Sequence, residues 1–348
     1  DAGKGKLIRK IHPGIQGDNG LSTPALIDVN LDRRVDYAYA GDLKGNLWKF
    51  DLTAPIPGQW GVAYGTDVDG DGVIDAGGGD VPMPLFQASG QPITGRPDVM
   101  LMHSMCGPQA PGYMVIFGTG RYLGNSDLKD RRQQSIFGIW DFGDDSDDSE
   151  VAGALMDRSS GLLSSGMIIE RQSVADEELA SGTMKREIKT NSIHYTMVED
   201  TEDGDGFRGN NREGRQQPNP VGTVGWFFDF PQPRGDTASA ERVTGHVEIR
   251  GGKAVVVSHA PTGLPCGQGG ESWLYVLNAC NGDMPVGPGG KPERAERFSG
   301  KLHNNPVVLK DAAQSAQDFI VLSNTKTDLF DRNFQGEGLG KVYWRENE

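Results

Sequence analysis

Four segments of this chain repeat one pattern, in which a small-residue turn leads into an aromatic strand ending in Asp or Asn. They are Gly45-Asn46-Leu47-Trp48-Lys49-Phe50-Asp51, Ile136-Phe137-Gly138-Ile139-Trp140-Asp141, Gly225-Trp226-Phe227-Phe228-Asp229 and Ser272-Trp273-Leu274-Tyr275-Val276-Leu277-Asn278. In the first, Leu47 and Lys49 alternate with Trp48 and Phe50, the period of a strand with one wetter face, and recurrence of such strands signals radial or stacked sheets. The 50 glycines and 20 prolines, with short apolar runs between turn residues, also suit a many-stranded all-β architecture. The repeats are unequally spaced. A β-propeller, which leaves only short protected edges and takes insertions between blades, accommodates that spacing; a pair of β-sandwiches is the alternative.

Further strands fit between the repeats. Residues 24–29 and 35–40 flank an acidic turn, 113–120 form a buried strand running into a tight turn, and 253–258 follow Gly251-Gly252. Residues 306–309 and 319–322 read as a hairpin, and 341–345 as a final strand. Between residues 143 and 220 the character changes. A like-charge block at 144–150 is expected to be solvated, 167–172 and 188–197 to form a two-stranded ribbon, and 204–220 to be a polar loop. The expectation is one propeller-like domain over 1–348, part of a larger propeller, with 143–220 as an excursion that either meets a partner or is a tolerated surface insertion.

The chemistry is concentrated in Asp67-Val68-Asp69-Gly70-Asp71-Gly72-Val73-Ile74-Asp75. Ca²⁺ takes six to eight oxygen ligands, and carboxylates at positions one, three and five with a backbone carbonyl at seven supply most of such a shell. Those positions are Asp67, Asp69, Asp71 and Val73; Gly72 permits the sharp turn and Asp75, at position nine, is expected to close the shell. Gly78 at position twelve excludes an EF-hand. A weaker copy upstream places Asp28, Asn30, Asp32 and Asp36 at one, three, five and nine, with Arg34 at seven and Arg33 where a glycine would relax the turn. The competing reading is that these aspartates are ordinary turn residues. A third acidic segment, 199–205, lacks the spacing and reads as a solvated loop.

A net charge of −14 argues against a nucleic-acid or anionic-membrane surface, and no apolar run reaches the roughly 18–20 residues that cross a bilayer as a helix. A start at Asp1, without a methionine or export signal, is expected of a mature fragment. The three cysteines, Cys106, Cys266 and Cys280, have no metal or haem spacing. Three pairings are open to them; a Cys266–Cys280 bridge would close a small loop in an exported protein, and three reduced, buried thiols are the alternative.

No active site emerges. There is no G-x-S-x-G, and the six histidines are scattered singly, as hydrogen-bonded structural residues would be. The run Gly118-Thr119-Gly120-Arg121-Tyr122-Leu123-Gly124 lacks the dinucleotide fingerprint and reads as a blade turn. The expectation is a protein that is not an enzyme.

The run Leu21-Ser22-Thr23-Pro24-Ala25-Leu26-Ile27-Asp28, followed by Asp36-Tyr37-Ala38-Tyr39-Ala40-Gly41-Asp42-Leu43-Lys44-Gly45-Asn46-Leu47-Trp48, closely resembles the C-terminal propeller of the PilY family of type IV pilus biogenesis and tip-associated adhesin proteins. Pro84-Leu85-Phe86-Gln87-Ala88, Phe117-Gly118-Thr119-Gly120-Arg121-Tyr122-Leu123-Gly124, Gly225-Trp226-Phe227-Phe228-Asp229 and Pro265-Cys266-Gly267-Gln268-Gly269-Gly270-Glu271-Ser272-Trp273 extend the likeness along the chain. The resemblance implies a modified, quinoprotein-like β-propeller that is exported to the cell surface or pilus tip, outer-membrane associated or extracellular. It implies roles in pilus assembly, twitching motility and adhesion, with minor pilins and host or matrix ligands as partners. It also implies a calcium site at Asp28, Asn30, Asp32 and Asp36. Two rivals share parts of this reading. A quinoprotein dehydrogenase would require an adjacent cysteine pair that is missing, and a calcium-dependent glycan- or matrix-binding module needs no catalytic group.

Overall fold

The computed structural model describes residues 5–88, 90–107, 110, 112–142, 168–181, 184–189, 193, 195–198, 207–210, 216–233, 239–261, 269–286, 294–299, 305–310, 318–322 and 328–332. The acidic stretches 144–150 and 199–205, Cys266 and the expected strand at 341–345 lie outside these residues.

Four sheets of three or more strands carry the described part of the chain. The first runs Ala25–Ile27, Tyr37–Gly41, Asn46–Asp51, Gly61–Val62, with Phe86–Gln87 also pairing onto the third of these strands. The second runs Asp98–Leu101, Tyr113–Gly118, Ser135–Asp141, Gln216–Asp229, and Ile168–Arg171 joins its outer edge in parallel. Glu248–Arg250, Lys253–Pro261, Gly270–Asn278 and Ala295–Ser299 begin the third sheet, and Pro306–Lys310, Asp318–Leu322 and Asp328–Arg332 form the fourth. Each sheet opens on a short strand, and these opening strands lie against one another in succession from the first sheet to the fourth. Antiparallel meanders set radially about their first strands are the blades of a propeller, so the fold is an all-β propeller.

The aromatic repeats become the packing between blades. Phe86 of the first sheet meets Phe117 and Phe137 of the second at centroid distances of 5.8 and 5.0 Å, and Phe137 stacks on Phe227 at 5.5 Å. Phe228 then touches Tyr275 of the third sheet at 5.7 Å. Trp48, Trp140 and Trp226 are fully buried. Gly138 is required opposite Trp226, because a Cβ there would lie 2.4 Å from the indole ring. Burying an aromatic removes about 150–250 Å² from water, so this stack is a principal source of cohesion.

Several expectations need correction. Lys49 was expected on a wetter face, but the second blade covers that face. The Lys49 ammonium is buried 2.8 Å from the fully buried Asp141 carboxylate, which also accepts hydrogen bonds from the hydroxyls of Tyr39 and Tyr64, both at 2.5 Å. Burial would raise the Asp141 pKa, yet the Lys49 charge and the three donated hydrogen bonds hold it below the ordinary carboxylate value.

The expected ribbon of 167–172 with 188–197 does not form. Ile168–Arg171 pairs with the second sheet, whereas Ser173–Glu178 and Met184–Lys189 pair with each other and extend the third sheet. Arg186 supplies the reason for this docking. Its guanidinium is buried over the Trp273 ring at 3.9 Å and reaches Asp176 at 2.6 Å and Glu241 at 2.7 Å. Part of the expected polar loop 204–220 is also strand, since Gln216–Asp229 continues outward to pair with Tyr195–Val198 and Phe207–Asn210.

Cys280 pairs with Cys106 rather than Cys266, joining the helical turn Met102–Met105 of the second blade to the end of Gly270–Asn278 in the third. The two partners are 174 residues apart, and sequence proximity says nothing about such a pair.

The 118–124 run is a turn, as expected. Asp127 braces it by accepting the N–H groups of Leu123 and Gly124 and pairing with Arg121. The turn carries Tyr122 over His259, with centroids 5.8 Å apart. His259 is buried there, and its Nε2 has no hydrogen-bond partner among the described residues. Burial and the nearby Arg242 charge lower its pKa to about 4, against 6.5 ordinarily. A group whose folded pKa is depressed favours folding only in its neutral form. The unfolded chain therefore binds the extra proton between about pH 6.5 and 4, and stability falls through that window by about 3 kcal/mol as pH drops. Urea unfolding at pH 7.5 and 4.5 should show that loss, and His259→Gln should flatten it; an identical pH slope in both proteins would refute the assignment.

Candidate metal loops

The acidic loop 67–75 hangs between the paired strands Gly65–Thr66 and Val81–Pro82 beside the first sheet. Glycines at positions four and six take positive φ, 74° at Gly70 and 80° at Gly72, which folds the loop inward. Carboxylate oxygens of Asp67, Asp69 and Asp71 lie within 4.8 Å of one another. Asp67 accepts the N–H groups of Gly70 and Gly72, Asp69 that of Asp71, and Asp71 that of Val73, at 2.7 to 3.1 Å. The N–H of Asp71 favours the Asp69 carboxylate, but desolvation and the charges of Asp71, Asp80 and Asp67 prevail and raise its pKa. A set of hard oxygens that repel one another fits a hard divalent cation.

The upstream loop has the same backbone plan without the glycines. Leu31 and Arg33 occupy positions four and six with φ of 60° and 71°. Such a conformation costs roughly 1–2 kcal/mol for a residue with a Cβ. The hydrogen bonds correspond as well: Asp28 accepts the N–H groups of Asp32 and Arg33, Asn30 that of Asp32, and Asp32 that of Arg34. Arg33 is exposed, so the charge expected to oppose a cation is turned to solvent.

The two loops close differently. Upstream, Asp36 at position nine is buried and accepts the Val29 N–H at 2.7 Å. Downstream, both Asp75 oxygens are engaged elsewhere, Oδ1 by the Gly77 N–H at 2.7 Å and Oδ2 by Arg9 at 3.1 Å. Asp80 takes the corresponding role, accepting the Val68 N–H at 2.8 Å and the Asp75 N–H at 3.0 Å. The Asp75 N–H, with those of Val68 and Asp69, outweighs burial and holds the Asp80 carboxyl below its ordinary pKa. Asp80 escaped the sequence reading because it is five residues beyond position nine; the only local signal was Gly77-Gly78-Gly79 before it. The structure thus brings Asp67, Asp69 and Asp71 together, with Asp80 in the place expected of Asp75.

The fold defines a propeller carrying two acidic loops at its first blade. Residues 1–177, about half of the chain, match the family model described as the PilY1 beta-propeller domain. The chain belongs to that family. It is similar to a type IV pilus biogenesis factor PilY1 homolog of Xylella fastidiosa, 28% identical over 85% of this chain and 17% of that protein. It is also similar to the type IV pilus biogenesis factor PilY1 of Pseudomonas aeruginosa strain PAO1, 31% identical over 81% of this chain and 22% of that protein. The crystal structure of the Pseudomonas aeruginosa PilY1 C-terminal domain matches with a TM-score of 0.61 and 22% identity, covering 94% of this chain and 64% of the other. The chain therefore spans about a fifth of the length of these curated relatives.

Proposed function

We propose that this chain is a calcium-binding, non-enzymatic propeller of a surface-exposed type IV pilus biogenesis protein, supporting pilus assembly, twitching motility and adhesion. Its family supports the pilus context. A disulfide supports export, because such bonds persist in oxidising compartments. Minor pilins at the pilus tip, and host or matrix ligands, are the partners this reading implies.

The observation that carries the calcium reading is the shared plan of the two loops. Leu31 and Arg33 hold a conformation that glycines hold downstream, and strain of this kind persists where surrounding structure imposes it for a purpose. In the downstream loop the ion would be held by Asp67, Asp69, Asp71 and the Val73 carbonyl, with Asp80 closing the shell. Upstream, Asp28, Asn30, Asp32, the Arg34 carbonyl and Asp36 would take the same places. Bound calcium would neutralise the clustered carboxylates and pin the loops to the first blade.

Because calcium would bind the folded loop, stability should rise by about 2.7 kcal/mol at a hundredfold excess over the dissociation constant. Melting curves in chelator and in millimolar calcium measure this, and identical midpoints would refute the reading. Asp69→Asn should remove most of the downstream contribution with little effect in chelator, since the side chain is exposed. Asp80→Asn should weaken calcium binding more than Asp75→Asn; the opposite order would restore Asp75 as the closing ligand.

A further inference from the structure

The segments that enter the four opening strands converge on a cavity of about 260 Å³ lined by Thr23, Thr94, Arg96, Thr244, His246 and Asn305. The positions are equivalent between blades. Thr23, Arg96 and His246 each stand two residues before an opening strand, and Asn305 immediately before the fourth. The cavity is therefore at the mouth of the propeller axis, where each of the four described blades contributes at least one polar side chain.

Its lining is rich in donors. No hydrogen bond or ion pair holds the Arg96 side chain among the described residues, and its Nε is buried without a partner. The hydroxyls of Thr23 and Thr244 are likewise not engaged among those residues. Asn305 uses its carbonyl oxygen to accept the His246 backbone N–H at 3.0 Å, which leaves its amide N–H groups as donors. His246 is fixed as a wall, its Nε2 donating to the Pro306 carbonyl at 3.1 Å, and Thr94 donates to the Gly120 carbonyl at 2.7 Å. A smaller cavity of about 110 Å³ that Arg96 also lines is formed with Ala25, Ile27, Val99 and Asp98, whose Oδ2 accepts the Ile249 N–H. Arg96 thus lines both cavities.

We propose that this axial chamber binds a carboxylate group, with Arg96 as the bidentate partner and the hydroxyls of Thr23 and Thr244 and the Asn305 amide as further donors. A guanidinium fork matches the two oxygens of a carboxylate. One fixed cation in a chain of net charge −14 also suits a monoanion better than a dianionic phosphate, which would leave excess negative charge in the chamber. The carboxylate can come from a free small acid or from the C-terminus of a polypeptide. The site is distinct from the acidic loops and does not depend on calcium.

Ligand-detected NMR titration of the full chain tests this with propionate, the tripeptide Gly-Ala-Ala and its C-terminal amide. The expected result is saturable millimolar binding of at least one free carboxylate and no binding of the amide. Binding of propionate identifies the small acid as sufficient, and binding of the tripeptide alone identifies a chain terminus as the source. Arg96→Gln should weaken binding at least about tenfold with an unchanged melting temperature, and Arg96→Lys should be intermediate. Should Arg96→Gln fail to fold, Thr244→Val decides, with an expected loss of about threefold to fivefold. Absence of binding by both free carboxylates, equal binding of the amide, or unaltered affinity in a folded Arg96 or Thr244 variant would overturn the proposal.

Discussion

Replacing Lys49 with Met is expected to destabilise the protein by about 3–5 kcal/mol, because it leaves the Asp141 carboxylate charged and buried without its counterion. The two tyrosine hydroxyls remain as donors, but they cannot neutralise the charge. Lys49 also lies over the Tyr37 ring at 4.5 Å and the Tyr64 ring at 5.3 Å, contacts that the thioether replaces only in volume. Lys49→Met with Asp141→Asn should recover much of the loss, since an asparagine can still accept from a tyrosine and needs no counterion. Denaturant unfolding of the single and double variants measures both effects. A Lys49→Met protein as stable as the parent would mean that Asp141 is protonated in the fold, or that water reaches it.

Reducing the Cys106–Cys280 bridge should be comparably severe. It joins positions 174 residues apart, and the chain-entropy model assigns a loop of that length about 5 kcal/mol. The Cys106→Ser, Cys280→Ser double variant should lose up to that amount and melt of the order of 10 °C lower. The loss should appear mainly between the second and third blades, where the bridge supplements the Phe228–Tyr275 contact and the bond from the Tyr195 hydroxyl to the Cys280 carbonyl. Hydrogen exchange on Gly270–Asn278, with and without reductant, would locate it. If both thiols titrate freely in the folded, oxidised protein, the pairing is wrong.

These two effects share a feature with the calcium reading, in that each depends on a charge or a covalent bond crossing between elements far apart in sequence. Arg9 illustrates it on a smaller scale. By holding Asp75 it releases position nine from the loop it was expected to close, and Asp80 fills the vacancy through three backbone N–H groups. A search of the 67–75 spacing alone could not reveal a competitor that lies 58 residues or more upstream.

The sequence by itself determined the aromatic strands of the first three blades, the hairpin of the fourth, the turn chemistry of both acidic loops and the propeller class. All of these follow from interactions between residues close along the chain, namely period-two patterning, glycine's conformational freedom and carboxylates that cap nearby N–H groups. Only the tertiary structure decided that Lys49 is buried, that Cys106 is the partner of Cys280, that Ser173–Glu178 and Met184–Lys189 belong to the third blade, and that Arg96 faces a chamber at the axis. Those outcomes depend on which blade covers which face, and that is fixed by packing between surfaces separated by a hundred residues or more, for which local pattern carries no signal.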